Sequence, residues 1–200
     1  MGNSAERARL SAADWELAAL EMIEEQGVAA VSVESLARRL SVTKGSFYWH
    51  FASRDSLLEA ALKRWESLDT EGVVAQVDRI ADPRERVVAL FRRTSHEIRD
   101  HVMYAALLRA IDHPAVQPVM QRVSQRRVAY LSAALRAAGL DRIHAAQRAQ
   151  LAYAAYVGML QLVMHRLLPR PAHADFDAYV EHVIDALVPE PSTRSIDAFA

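Results

Sequence analysis

The stretch from Ser32 to Phe51 constrains this chain more than any other. It reads Ser-Val-Glu-Ser-Leu-Ala-Arg-Arg-Leu, then Ser-Val-Thr, then Lys-Gly-Ser-Phe-Tyr-Trp-His-Phe. Two short helical patterns flank a tight break, which is how a helix-turn-helix looks in sequence. Leu36, Ala37 and Leu40 share one face of the first helix. Val42 fills the turn, and Phe47 and Phe51 return to the core from the second helix. The positions left outside on that second helix are Lys44, Gly45, Ser46, Tyr48 and His50. A cation, a bare backbone and three hydrogen-bonding groups suit phosphates and base edges.

Composition agrees with a helical chain. Of 200 residues, 52% are hydrophobic, and Gly and Pro number only 6 and 7. Cysteine is absent, which excludes disulfides and thiolate metal sites. No apolar run reaches the length of a membrane span, and Met1-Gly2-Asn3-Ser4 lacks a signal pattern. The net charge of −1 argues nothing for nucleic acid, but its distribution does. From Ser35 to Arg54 there are four cations and no acid, so a basic face is expected over the helix-turn-helix. Residues 84–148 carry twelve arginines against five acids, read as a solvated arginine-rich surface with an anion site as the alternative.

Cap and breaker signals order the rest. Ser11 with Asp14 suggests a capping box ahead of a helix that ends at Gly27. Ser32, Thr43 and Ser53 are placed to cap the next three helices, the last running over 54–71. Asp82-Pro83-Arg84-Glu85 is a strong helix start. Further helices are expected toward Asp100, through Met103 and Leu107, from Ala115 to Ala138, from Asp141 to before Pro169, and from Ala174 to Val188. Nothing alternates with a period of two. The expected fold is all-α: a three-helix DNA-binding domain over 1–53, a larger helical domain over 54–188 and a loose tail over 189–200.

These residues resemble the TetR family of bacterial one-component transcriptional regulators. Tyr48-Trp49-His50-Phe51 is similar to its Tyr-x-His-Phe signature, and Arg54-Asp55-Ser56-Leu57-Leu58 to the opening of its fourth helix. Gly27 and Val28 sit where the family ends its first helix, and the specific likeness spans Ala12 to Ala61. Ser41 departs from it, standing where the family has a turn glycine, at a cost of ~1 kcal/mol. The resemblance implies a homodimer in a bacterial cytoplasm that binds double-stranded operator DNA. It also implies a ligand pocket among the helices beyond the reader.

Lys44, Tyr48 and His50 are the candidate phosphate ligands, and Gly45 and Ser46 the candidates for base edges. Thr43, as the cap, is grouped with them. Ser32 and Arg54, at helix N-termini that attract phosphate, complete the DNA set. Trp49 is read as a packing or sugar-contact residue. Trp65, Phe91, Met103, Tyr104, Tyr130 and Tyr156 are the candidates for an apolar or aromatic small-molecule effector. Ala155, Gly158, Met159 and Leu162, with Tyr179, Val183 and Leu187 on the last helix, form stripes suited to a four-helix dimer interface.

No metal-ligand spacing, catalytic constellation or cofactor motif stands out. The reading is thus a ligand-responsive repressor released from a palindromic operator. An activator is the other sign of the same device. An all-α enzyme or small-molecule carrier with a helix-turn-helix-like N-terminus is the rival class.

Overall fold

Ser11 starts the first helix as its pattern requires. Its Oγ accepts from the Asp14 N–H (3.4 Å), while its own N–H donates to Asp14 Oδ2 (2.7 Å). The computed structural model describes residues 10–96, 102–169 and 172–189. It is all-helical, and among the described residues there is no strand.

The helices are α1 (Ala12–Gln26), α2 (Val33–Arg39), α3 (Lys44–Phe47), α4 (Arg54–Glu66), α5 (Gly72–Val77), α6 (Pro83–His96), α7 (Val102–Arg109), α8 (Val116–Ala137), α9 (Arg142–Met164) and α10 (His173–Leu187). Among the described residues no helix is long and apolar enough to cross a membrane.

Several boundaries differ from the sequence reading. The helix expected over 54–71 stops at Glu66, passes through a π-helical turn over Ser67–Glu71 and resumes as α5. Periodicity cannot announce such an insertion, because one extra residue per turn leaves the same apolar residue types in place. Thr43 sits at the N-cap of α3, but its side chain makes no capping bond. Ser41 has φ +55°, the left-handed conformation that favours glycine, as expected for this turn position. The end of the helix toward Asp100 and the tail beyond Pro189 lie outside the described residues.

The chain divides into two compact units, and the division falls elsewhere than after residue 53. One unit takes described residues 10–71 and 102–123; the other takes the remainder. The reason is packing: α1 lies against both α4 and α7, so these helices share the reader's core. Trp15, Phe47, Leu57, Leu62, Tyr104 and Leu107 are fully buried in this first unit. Trp15 meets Phe47 edge to face at 5.3 Å. Among the described residues, Glu66 is the buried charged side chain. It receives the Arg122 fork at 2.8–3.3 Å, which fastens the end of α4 to the start of α8.

In the second unit Val87, Leu131, Leu135, Ala149, Ile184 and Leu187 gather between α6, α8, α9 and α10. The arginine-rich block is used here as structure. Arg84 donates to the Pro189 carbonyl (3.0 Å), Arg148 to that of Leu187 (2.9 Å), and Arg86 to that of Ile80 (2.8 and 3.1 Å). Arg92 pairs with both oxygens of Glu181 at 2.7 and 2.8 Å.

Asp141 caps α9, accepting from the N–H groups of Ile143 (2.8 Å) and His144 (3.0 Å), with the His144 ring against its other oxygen. The His144 N–H above all, then the His144 side chain, holds this carboxyl at about 2. Its folded value lies below the unfolded one. The cap's contribution is therefore complete above the ordinary range near 3.8 and is lost as pH falls through about 2. A carbon-detected NMR titration should place the Asp141 midpoint near 2; an ordinary midpoint would remove the cap from the account.

Candidate nucleic-acid interface

Helix α3 is only four residues long, and burial divides it sharply. Phe47 is fully enclosed, touching the rings of Trp15 (5.3 Å), Tyr48 (5.2 Å) and Phe51 (5.7 Å). Around it Thr43, Lys44, Gly45, Tyr48, Trp49 and His50 are exposed, and Ser46 is half-buried. Phe47 is thus the anchor that fixes which side of α3 faces outward. Tyr48 is 62% and Trp49 81% exposed, and an indole left so far in water has no packing role within this chain. Sequence reasoning left Trp49 between packing and sugar contact; its exposure removes the first.

The other DNA candidates are less available. Ser32 accepts from the Ser35 N–H (3.1 Å) and donates to Ser35 Oγ (2.9 Å), so its hydroxyl is engaged as the cap of α2. Arg54 donates from Nε to the Val31 carbonyl (2.7 Å) and from a terminal nitrogen to that of Val28 (3.0 Å). Its other terminal nitrogen meets Asp55 at 3.1 Å. That guanidinium holds the loop between α1 and α2, a positioning role that sequence reasoning missed because the acceptors are backbone atoms far along the chain. A Cβ built at Gly45 would meet only Thr43 Oγ1, at 3.7 Å, so nothing in the fold forbids a side chain there.

The expected basic face is neutralised in part by folding. Arg39 is gripped by Glu25 (2.6 and 2.8 Å) and reaches Glu21 (3.3 Å). The hydrogen bonds with Glu25 raise the Arg39 guanidinium above its ordinary range. Lys44 is paired with Glu34.

The six effector candidates separate three and three between the units. Trp65, Met103 and Tyr104 are core residues of the first, with the Trp65 and Tyr104 rings 6.3 Å apart. Phe91, Tyr130 and Tyr156 belong to the second, each half-buried. The Tyr130 hydroxyl donates to Asp78 (2.7 Å). Burial first, and that bond second, push its phenol well above the ordinary range.

The interface candidates also sort themselves. Ala155, Gly158 and Met159 are half-buried, and Leu162 and Tyr179 are 38% and 36% exposed. Leu187 is a correction: it is buried in its own unit's core, and Val183 packs against the same cluster. On α10 the exposed side carries Asp175, Asp177, Glu181, His182 and Asp185 beside Tyr179, while Val180, Ile184 and Leu187 turn into the core. Among the described residues no three His, Cys, Asp or Glu side chains gather as metal ligands.

Residues 17–61 match the family model described as bacterial regulatory proteins, tetR family. An HTH-type transcriptional regulator of Saccharopolyspora erythraea is 30% identical over 125 residues, which is 62% of this chain and 49% of that protein. The chain thus spans about half of that relative's length, and less than two thirds of three other curated relatives, the regulators SrpR, BetI and TtgW. Among solved structures, the reduced form of Escherichia coli NemR has a TM-score of 0.74 at 19% identity, covering 90% of this chain and 99% of that one. The multidrug binding protein EbrR complexed with imidazole has a TM-score of 0.62 at 25% identity, covering 92% and 97%.

Proposed function

On the premise that this chain belongs, through residues 17–61, to the bacterial tetR regulatory family, we propose that it is a ligand-responsive, DNA-binding transcriptional regulator. The observation that carries the reading is the outward face of α3. Lys44, Gly45, Tyr48, Trp49 and His50 are exposed around one buried phenylalanine, whose ring Tyr48 meets edge to face, and the Trp49 indole is left 81% exposed. Gly45 adds to it. A glycine inside a helix costs about 1 kcal/mol relative to alanine, and here no neighbour demands it. A phosphate backbone or groove wall approaching closely does.

The assembly we propose is a homodimer that sets two such helices in successive major grooves of an operator. A second copy would cover the exposed apolar residues of α9 and α10, among them Leu151, Leu162 and Tyr179. Repression follows if the operator overlaps a promoter; activation is the same binding at another position. The likeness to EbrR supports a small-molecule effector, apolar or aromatic in view of Phe91, Tyr130 and Tyr156 in the second unit. An effector that prefers a state unable to span both half-sites by 1.4 kcal/mol weakens operator binding about tenfold.

Lys44→Ala tests the reading. Titrating a labelled duplex at several salt concentrations should show weaker binding on every sequence, with a log–log salt slope reduced by roughly one. Wild-type affinity and slope in this variant would remove Lys44 from the contact surface.

A further inference from the structure

We propose that Glu34 is an internal competitor for DNA phosphate: it holds the Lys44 ammonium in the DNA-free protein and limits the affinity of the reader until it lets go. The inference rests on the DNA-binding reading and names how that same site is regulated.

The sequence places no acid between Ser35 and Arg54, yet Arg39, Lys44 and Arg54 each meet a carboxylate of the described residues. The three pairs are not equivalent. Arg39 is held by a two-pronged contact with Glu25 and a further one with Glu21, both on α1. Arg54 is tied chiefly to two backbone carbonyls, which no phosphate displaces without opening the loop. Lys44 alone among them opens α3. Its pair joins a single ammonium to a single carboxylate oxygen, and the two side chains are 57% and 55% exposed.

An exposed lysine–glutamate contact exchanges readily, because water and salt already screen it. A phosphate offers the same charge and better acceptors, so Lys44 can pass from one oxyanion to the other with little rearrangement. The Glu34 contact is given up in the exchange, and the loss of that pair is what docking must offset. The pair leaves a mark in the free protein: the Lys44 ammonium, first of all, holds the Glu34 carboxyl below its ordinary range. The net effect is to lower affinity for all DNA, so that only sequences supplying further base contacts retain the protein.

The test is a double-mutant cycle on a mixed-sequence duplex at low salt, read by anisotropy, with wild type, Glu34→Gln, Lys44→Ala and the double variant. Glu34→Gln should tighten binding about three- to tenfold in the wild-type background and less than about twofold in the Lys44→Ala background. Equal tightening in both backgrounds would show plain repulsion and overturn the competitor role, as would no tightening at all. A second arm needs no DNA. The Glu34 carboxyl midpoint, followed by NMR in the free protein, should rise in Lys44→Met; an unmoved midpoint overturns the pair itself. If the midpoint rises but no variant binds any duplex, it is the DNA-binding reading that has failed.

Discussion

Phe47→Ala should cost about 3–5 kcal/mol of folding stability, the range for removing a large ring from a closed core. The ring is fully buried and contacts Trp15 edge to face and Phe51 at 5.7 Å. Its loss opens a cavity that α3, four residues long with no side-chain cap, cannot collapse to fill. Urea unfolding followed by tryptophan emission measures it, and duplex binding should vanish with it even at low temperature. A loss under about 1 kcal/mol would mean that α3 is held by something other than this anchor. Leu57→Ala supplies the contrast. It is equally buried but lies on α4, and it should destabilise without selectively releasing the reading helix.

Gly158→Glu should abolish dimerisation while leaving the monomer folded. A Cβ at Gly158 finds nothing within 4 Å in its own chain, so the substitution meets open space and improves helix propensity by up to about 1 kcal/mol. Under a second copy it would bury two unpaired carboxylates. Each buried charge without a partner costs about 3–5 kcal/mol, so even one weakens association by roughly a hundred- to several thousandfold. Sedimentation equilibrium with a melting curve separates the outcomes. A wild-type dimer in this variant would move the interface off this face of α9.

How much of this was legible in the chain depended on distance along it. The Ser11–Asp14 box and the Asp82–Pro83 start were readable because donor and acceptor are three residues apart; the Glu85 N–H does donate to Asp82, at 2.8 Å. The cap at Ser53 was readable too, though its reciprocal partner is Ser56 rather than an acid. The anchors Phe47 and Phe51 followed from helical spacing.

What failed was what required the fold. The acid-free basic stretch is neutralised from α1 by Glu21 and Glu25, which lie far back along the sequence, and from just outside its two ends by Glu34 and Asp55, which a count bounded at Ser35 and Arg54 leaves out. Arg54 spends its guanidinium on carbonyls that carry no side-chain signature. Leu187 shares its helix's apolar character with Tyr179, and only packing reveals that one faces inward and the other outward.

The three tryptophans of this chain all lie in its first unit, at 0%, 81% and 7% exposure for Trp15, Trp49 and Trp65. The protein is therefore spectrally one-sided. Its long-wavelength emission reports the reader and its supporting helices, and the unit containing Phe91, Tyr130 and Tyr156 contributes no indole. Iodide selects Trp49 by its exposure, and the red edge of the spectrum isolates it from the two enclosed rings. A compound that shifts this emission without touching the first unit has sent its effect across the chain. Unmodified protein in a cuvette can thus separate a bound compound from a compound that is heard.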